Sequence, residues 1–437
     1  MNIFSPDKTK SSNNFLLSLL ILSLSISLIS GLGFVKYFGY SILLFWLLLN
    51  FRSVPEIIKS SRFLQLFLIF SLWCILSSLW SISPSISFLR SGFQLFLIFS
   101  IALIIRKVNL NYNHFSYSIY LVTIFIGASL IFGAPADSWT GGNAKGFMGA
   151  FHHQNSLGAI ILFLLPILNF YLFENYKKLH AAKLSLLIAI SLFFLITLFL
   201  TASRSAILSY LIFLLLFFAF INLKKTAIAI FILMTIISLS LVFQPTSVYF
   251  KDLVYKGRTH FGESRFLVYN SSLQSAKNGG VIGFGFNMSD PDNIHTEIGT
   301  TKNGFYQREK GSTALALIEE TGVIGFILYF IAITYLLCQI LTEILSQQYK
   351  NLNTCNVSKR KYFPFLKSIE ILKEPPTNIN LISPEESITG RNKNIFLFAI
   401  IIALIIHQQF EAYGVAPGSQ FYALFLLVLF SANNEMK

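Results

Sequence analysis

Apolar runs of about 18 to 20 residues recur along this chain, and that length lets an α-helix cross the roughly 30 Å hydrocarbon core of a bilayer. Inside a bilayer every backbone N–H and C=O must find its partner within the protein, which leaves helices and closed barrels. The runs are continuous Leu, Ile and Phe, without the alternation of a barrel strand, so they select helices. Of 437 residues, 54% are hydrophobic and only 12% charged. That charged share is about half that of a soluble domain and excludes a water-soluble globule.

Hydropathy places twelve spans near 15–33, 37–51, 63–80, 91–106, 116–133, 156–173, 184–201, 205–222, 226–243, 317–341, 395–412 and 419–432. The expected fold is an all-α integral membrane protein of about 12 transmembrane helices with one large extracytoplasmic loop. Residues 1–243 would form a bundle of nine spans and 244–316 the large periplasmic loop. Span ten would be 317–341, a cytoplasmic loop 342–394, and the last two spans with the C-terminus 395–437.

With both termini cytoplasmic, the short inner loops hold ten cations, Arg52, Lys59, Arg62, Arg106, Lys107, Lys177, Lys178, Lys183, Lys224 and Lys225. The short outer loops hold four: Lys36, Arg90, Lys145 and Arg204. That asymmetry satisfies the positive-inside rule and accounts for most of the net charge of +14 without a nucleic-acid partner. The basic triplet Lys359-Arg360-Lys361 fits an inner-side lipid-headgroup anchor. The first apolar run lacks a small-residue cleavage site and reads as a retained span in a bacterial inner membrane. Cys74, Cys338 and Cys355 form neither a disulfide framework nor a metal spacing.

Chemistry is expected where the far-side segments converge. Arg204, in Thr201-Ala202-Ser203-Arg204-Ser205, is a lone cation between two apolar helices. It either snorkels to headgroups or meets a ligand, and its planar fork of donors suits a pair of phosphate oxygens. The large loop carries eight basic against six acidic residues, so it is no polybasic sheath. Within it, Glu263-Ser264-Arg265 opens a stretch with Phe266, Tyr269 and Leu273 at helical spacing, which predicts an amphipathic surface helix followed by a glycine turn at Gly279-Gly280 and Gly283-Phe284-Gly285. His152, His153 and Asn155 either contact sugar hydroxyls or cap the next helix. His407 and Glu411, one turn apart, either line a cavity or hydrogen-bond for packing. Gly322 and Gly325 are expected to allow close helix packing.

Four landmarks in order carry a resemblance: Gly149-Ala150-Phe151-His152-His153-Gln154-Asn155, Thr201-Ala202-Ser203-Arg204-Ser205, Ser264-Arg265 ahead of Gly283-Phe284-Gly285, and Glu320-Thr321-Gly322-Val323-Ile324-Gly325. From about residue 140 to 345 the chain resembles the O-antigen ligase and polymerase family, polytopic GT-C-like glycosyltransferases. The resemblance implies an undecaprenyl-diphosphate-linked glycan donor and a glycan or lipid A-core acceptor, with transfer on the outer face and no cofactor, nucleotide sugar or metal. Membrane lipids, a flippase and a chain-length regulator would be its partners. The family's donor-diphosphate arginines fall on Arg204 and Arg265, with Arg258 as a second-rank contact.

One departure matters. Ligases of this family carry a His followed by Asn, Ser or Gln before the Gly-x-x-Gly pair, and here that dipeptide is Gly311-Ser312. Glu309 is the replacement candidate for a base within reach of the acceptor hydroxyl, with His295, Glu319 and Glu320 behind it. Its alternative reading is an exposed carboxylate beside a neighbouring lysine. The missing His favours a polymerase over a ligase. A transporter would need ionisable residues along a path through the spans and symmetric halves, neither of which the sequence offers. A non-catalytic scaffold for polysaccharide export is the remaining alternative.

Overall fold

The computed structural model describes residues 6–108, 110–132, 146–221, 263–293, 310–354, 384–411, 416 and 419–435. Its helices are α1 (Pro6–Ile26), α2 (Val35–Asn50), α3 (Val54–Ser60), α4 (Arg62–Leu76), α5 (Pro84–Lys107), α6 (Tyr112–Phe132), α7 (Gln154–Asn175), α8 (Ala181–Leu200), α9 (Arg204–Ile221), α10 (Glu263–Gly279), α11 (Thr313–Thr354), α12 (Pro384–Gln408) and α13 (Gln420–Glu435). Eleven of the twelve expected spans fall on one of these helices, and 226–243 lies outside the described residues.

Among the described residues nine helices are long and apolar enough to cross a membrane, and Asn13–Ile26 and Gln420–Asn434 are shorter apolar helices. The outer faces of α2, α6, α8 and α11 expose Leu48, Ile131, Ile196 and Phe330, surface that only lipid can cover at this density. The chain is an all-α, multi-pass membrane protein.

The core gathers around α7 and α13. Residues Tyr422 through Ala432 of α13 are buried without a break, as are Leu157 through Leu168 of α7. Around them α9 packs on α12, α11 on α4 and α10, α1 on α2 and α6, and α5 on α13. Ser61 caps α4 by accepting the Leu64 N–H at 3.1 Å, and its own hydroxyl donates to Asn433 Oδ1 at 3.0 Å, tying the start of α4 to the end of α13.

α5 begins at Pro84 rather than near 91. Its extra turns carry polar side chains that hydropathy discounts but the fold uses. Ser87 donates to the carbonyl of Phe286 at 3.0 Å and Arg90 to that of Asn287 at 2.7 Å.

α11 is broken at Gly322, whose φ of 70° and ψ of −179° only glycine adopts at low cost. The break orphans backbone groups on both sides of it. The glycine turn after α10 satisfies them. Phe284 and Gly285 N–H groups donate to the carbonyls of Glu319 and Glu320 at 2.9 and 2.8 Å, while Val323 and Ile324 N–H groups donate to those of Gly280 and Val281 at 3.1 and 3.3 Å. Trp73 Nε1 takes the Thr321 carbonyl at 2.8 Å. A Cβ on Gly322 would stand 2.0 Å from the Val281 carbonyl oxygen. Close helix packing is therefore the role of Gly325, whose Cβ would lie 3.0 Å from the Trp73 ring, whereas Gly322 makes the break.

A helix forms here, α10, and its buried face is Val268, Ser272, Ser275 and Ala276, with Leu273 exposed. Small residues win that face because α10 lies close against α11. At Gly279 an added Cβ would come within 2.8 Å of the Glu319 carbonyl oxygen.

Candidate functional site

The turn between α8 and α9 places Arg204. Ala202 there holds a left-handed φ of 50°, an unusual conformation for a residue with a side chain, and Arg204 follows as the first residue of α9. The segment before α7 is laid against this turn. Phe147 N–H donates to the Leu200 carbonyl at 2.8 Å, and at Gly146 a Cβ would meet the Thr201 carbonyl oxygen at 2.4 Å. Gly158 of α7 passes directly under Ser203.

α7 begins beside Arg204 in consequence. His153 Nδ1 accepts the Asn155 N–H at 3.0 Å, so this histidine caps the helix. His152, exposed, sits with Nδ1 3.3 Å from the hydroxyl of Ser30. Asn155 donates its side-chain amide to Glu411 Oε1 at 2.6 Å. Ser205, next to Arg204, has its hydroxyl 3.4 Å from Nε2 of the buried His407. His407 and Glu411 thus both face the starts of α7 and α9, and each makes a hydrogen bond that packing alone would also reward.

The C-terminal end of α12 joins this group to α10. Tyr269 donates its hydroxyl to the Gln409 carbonyl at 2.6 Å, and Ser312 donates to Gln409 Oε1 at 2.9 Å. Arg265 lies on α10 one turn before Tyr269. Gly311 donates its N–H to the Ser272 hydroxyl at 3.1 Å. A Cβ at Gly311 would touch Val268 and Tyr269 at 3.3 and 3.4 Å, on the α10 face one turn past Arg265. The elements bearing Arg204 and Arg265 therefore converge through the end of α12. Arg258, His295 and Glu309 lie outside the described residues.

Three buried polar atoms near this convergence have no partner among the described residues: Gln154 Oε1, Ser203 Oγ and Gln408 Nε2.

A second cluster holds the glycine turn in place. Lys310 reaches both buried carboxylates, forming a short ion pair with Glu320 Oε1 and lying 3.9 Å from Glu319 Oε2. Glu320 Oε2 accepts the Asn287 N–H at 2.8 Å and Glu319 Oε1 the Asp290 N–H at 2.9 Å. The Lys310 ammonium also donates to the Met288 carbonyl at 3.0 Å. Both carboxylates thus bind the backbone of 287–290, and one lysine ammonium reaches both.

Residues 188–330 match the family model described as O-antigen ligase. Over that segment the chain is similar to O-antigen ligases. No curated protein matches the chain. The matched segment runs from α8 into α11 and contains Arg204 and Arg265. His152, His153, Asn155, His407 and Glu411 lie outside it, and His407 meets it at Ser205.

The functional candidates in the sequence do not include Gln409, Ser272, Trp73 or Trp80, whose indole N–H donates to the Ile282 and Gly283 carbonyls at 3.2 Å. Of these only the tryptophans left a signal, since indole N–H groups in a span need an acceptor.

Proposed function

We propose that this protein polymerises undecaprenyl-diphosphate-linked oligosaccharide repeat units at the outer face of the bacterial inner membrane. A hydroxyl of one glycan attacks the anomeric carbon of another, a new C–O glycosidic bond forms, and the bond from that carbon to the diphosphate oxygen breaks. Glu309 takes the hydroxyl proton. Undecaprenyl diphosphate leaves, its charge held by Arg204 and Arg265 with Arg258 as a further contact. Fixed cations at the point where charge develops are among the strongest contributions to such a step.

The observation that supports this reading is the meeting of α7, α9, α10 and α12 ends, which brings the Arg204 turn and the Arg265 helix to one end of the bundle. The polymerase is preferred over a ligase because Gly311 occupies the place of the ligase histidine. A ligase delivering glycan to a lipid A-core acceptor is the second reading, favoured by the similarity of residues 188–330 to O-antigen ligases. Purified protein given lipid-linked oligosaccharide, without nucleotide and with a chelator present, should yield a ladder of longer lipid-linked glycans. Transfer only upon addition of a lipid A-core acceptor would replace polymerase by ligase, and no product with either acceptor would leave the scaffold.

A further inference from the structure

A lateral groove between α2 and α5, away from the convergence described above, has the polarity profile of an amphiphile. Its volume of about 510 Å³ falls in the range of ligand sites, and its walls include Lys36, Tyr40 and Leu44 of α2 with Phe93 and Phe96 of α5. Lys36, Tyr40 and Leu44 follow one another at i, i+4 and i+8, so they line one face at steps of about 6 Å. Cation, hydroxyl and hydrocarbon succeed each other down the groove.

The level of the cation is set by its neighbours. The loop before α2 bonds to the segment before α7, with Ser30 N–H donating to the Ala150 carbonyl at 2.8 Å, so the groove opens at the same end of the bundle as Arg204. Phe34, Tyr37 and Phe38 are exposed at the start of α2 and form an aromatic belt of the kind found at headgroup depth. Lys36 lies over the Tyr37 ring at 5.4 Å and has no carboxylate partner among the described residues.

The second observation is Tyr40. It is 8% exposed, and its hydroxyl is buried with no hydrogen-bond partner among the described residues. A donor left unpaired beside hydrocarbon is costly, and Tyr40 lines the groove about one turn below the cation. We infer that the groove binds an anionic glycerophospholipid, its phosphate on Lys36, an ester carbonyl accepting from the Tyr40 hydroxyl, and an acyl chain along Leu44, Phe93 and Phe96. A polyprenyl phosphate would satisfy Lys36 but brings no acceptor to the depth of Tyr40. That difference separates this site from the lipid-linked substrate.

The test is native mass spectrometry of the purified full-length chain, which counts lipids on folded protein, titrated with phosphatidylglycerol, phosphatidylcholine and undecaprenyl phosphate. Wild type should retain one phosphatidylglycerol in preference to phosphatidylcholine. Lys36→Gln and Tyr40→Phe should each weaken that binding about fivefold, the loss of one headgroup charge contact or one hydrogen bond. Equal retention by wild type and either variant, or displacement of phosphatidylglycerol by equimolar undecaprenyl phosphate, would overturn the assignment.

Discussion

Glu411 accepts a 2.6 Å hydrogen bond from the side-chain amide of Asn155, which lies 256 residues earlier in the chain. This bond ties the start of α7 to the segment after α12, and the family match covers neither. Residues that share one such bond are coupled, and truncating either should lose the same interaction. Asn155→Ala and Glu411→Ala should each lower the melting temperature in detergent, and the double variant should melt no lower than the worse single one. Additive losses would mean the two side chains act independently.

The Lys310 cluster predicts a larger effect. Replacing Lys310 by Met removes the ammonium that meets the buried Glu319 and Glu320, and breaking a buried ion pair costs about 3 to 5 kcal/mol. Lys310→Met should therefore be strongly destabilised in thermal melts. Neutralising both acids in Lys310→Met/Glu319→Gln/Glu320→Gln should recover part of that loss.

The glycines at the α11 break should respond unequally. At Gly322 an added methyl meets backbone at 2.0 Å with a φ of 70°, whereas at Gly325 the nearest contact is the Thr321 hydroxyl, a side-chain atom. Gly322→Ala should abolish monodisperse protein in size-exclusion chromatography, and Gly325→Ala should leave a recoverable folded fraction.

Glu309 and Gly311 divide the base question. On the proposed mechanism Glu309→Gln lowers glycan polymerisation about a hundredfold or more, the usual worth of a positioned base. Gly311→Ala, whose methyl asks only a small shift of Val268 and Tyr269, should change it by less than about tenfold. The rate of ladder formation by purified variants checks both.

The membrane bundle was legible in the sequence because apolar length is a one-dimensional signal. The same holds for the glycine turn after α10, where Gly280, Gly283 and Gly285 do take positive φ. Arg204 stood out for a local reason, a cation between two apolar runs. What the sequence concealed are contacts between distant segments. Nothing in the spacing of Lys310 and Glu320 says that Asn287 closes the set, and nothing near Tyr269 points to Gln409. Nor does hydropathy show that close approach to α11 selects Ser272, Ser275 and Ala276 for the buried face of α10. Gly322 was misassigned because a helix break and a packing glycine look alike in sequence.

The central claim is that two guanidinium groups, carried by α9 and α10, hold one diphosphate. It is tested most directly by giving lipid-linked oligosaccharide to purified Arg204→Ala and Arg265→Ala and measuring the glycan ladder. Each variant should insert and purify like wild type yet lose about 100- to 1,000-fold in polymerisation, as when a charge-stabilising donor is removed from an active site. Wild-type ladders from both variants would contradict the claim.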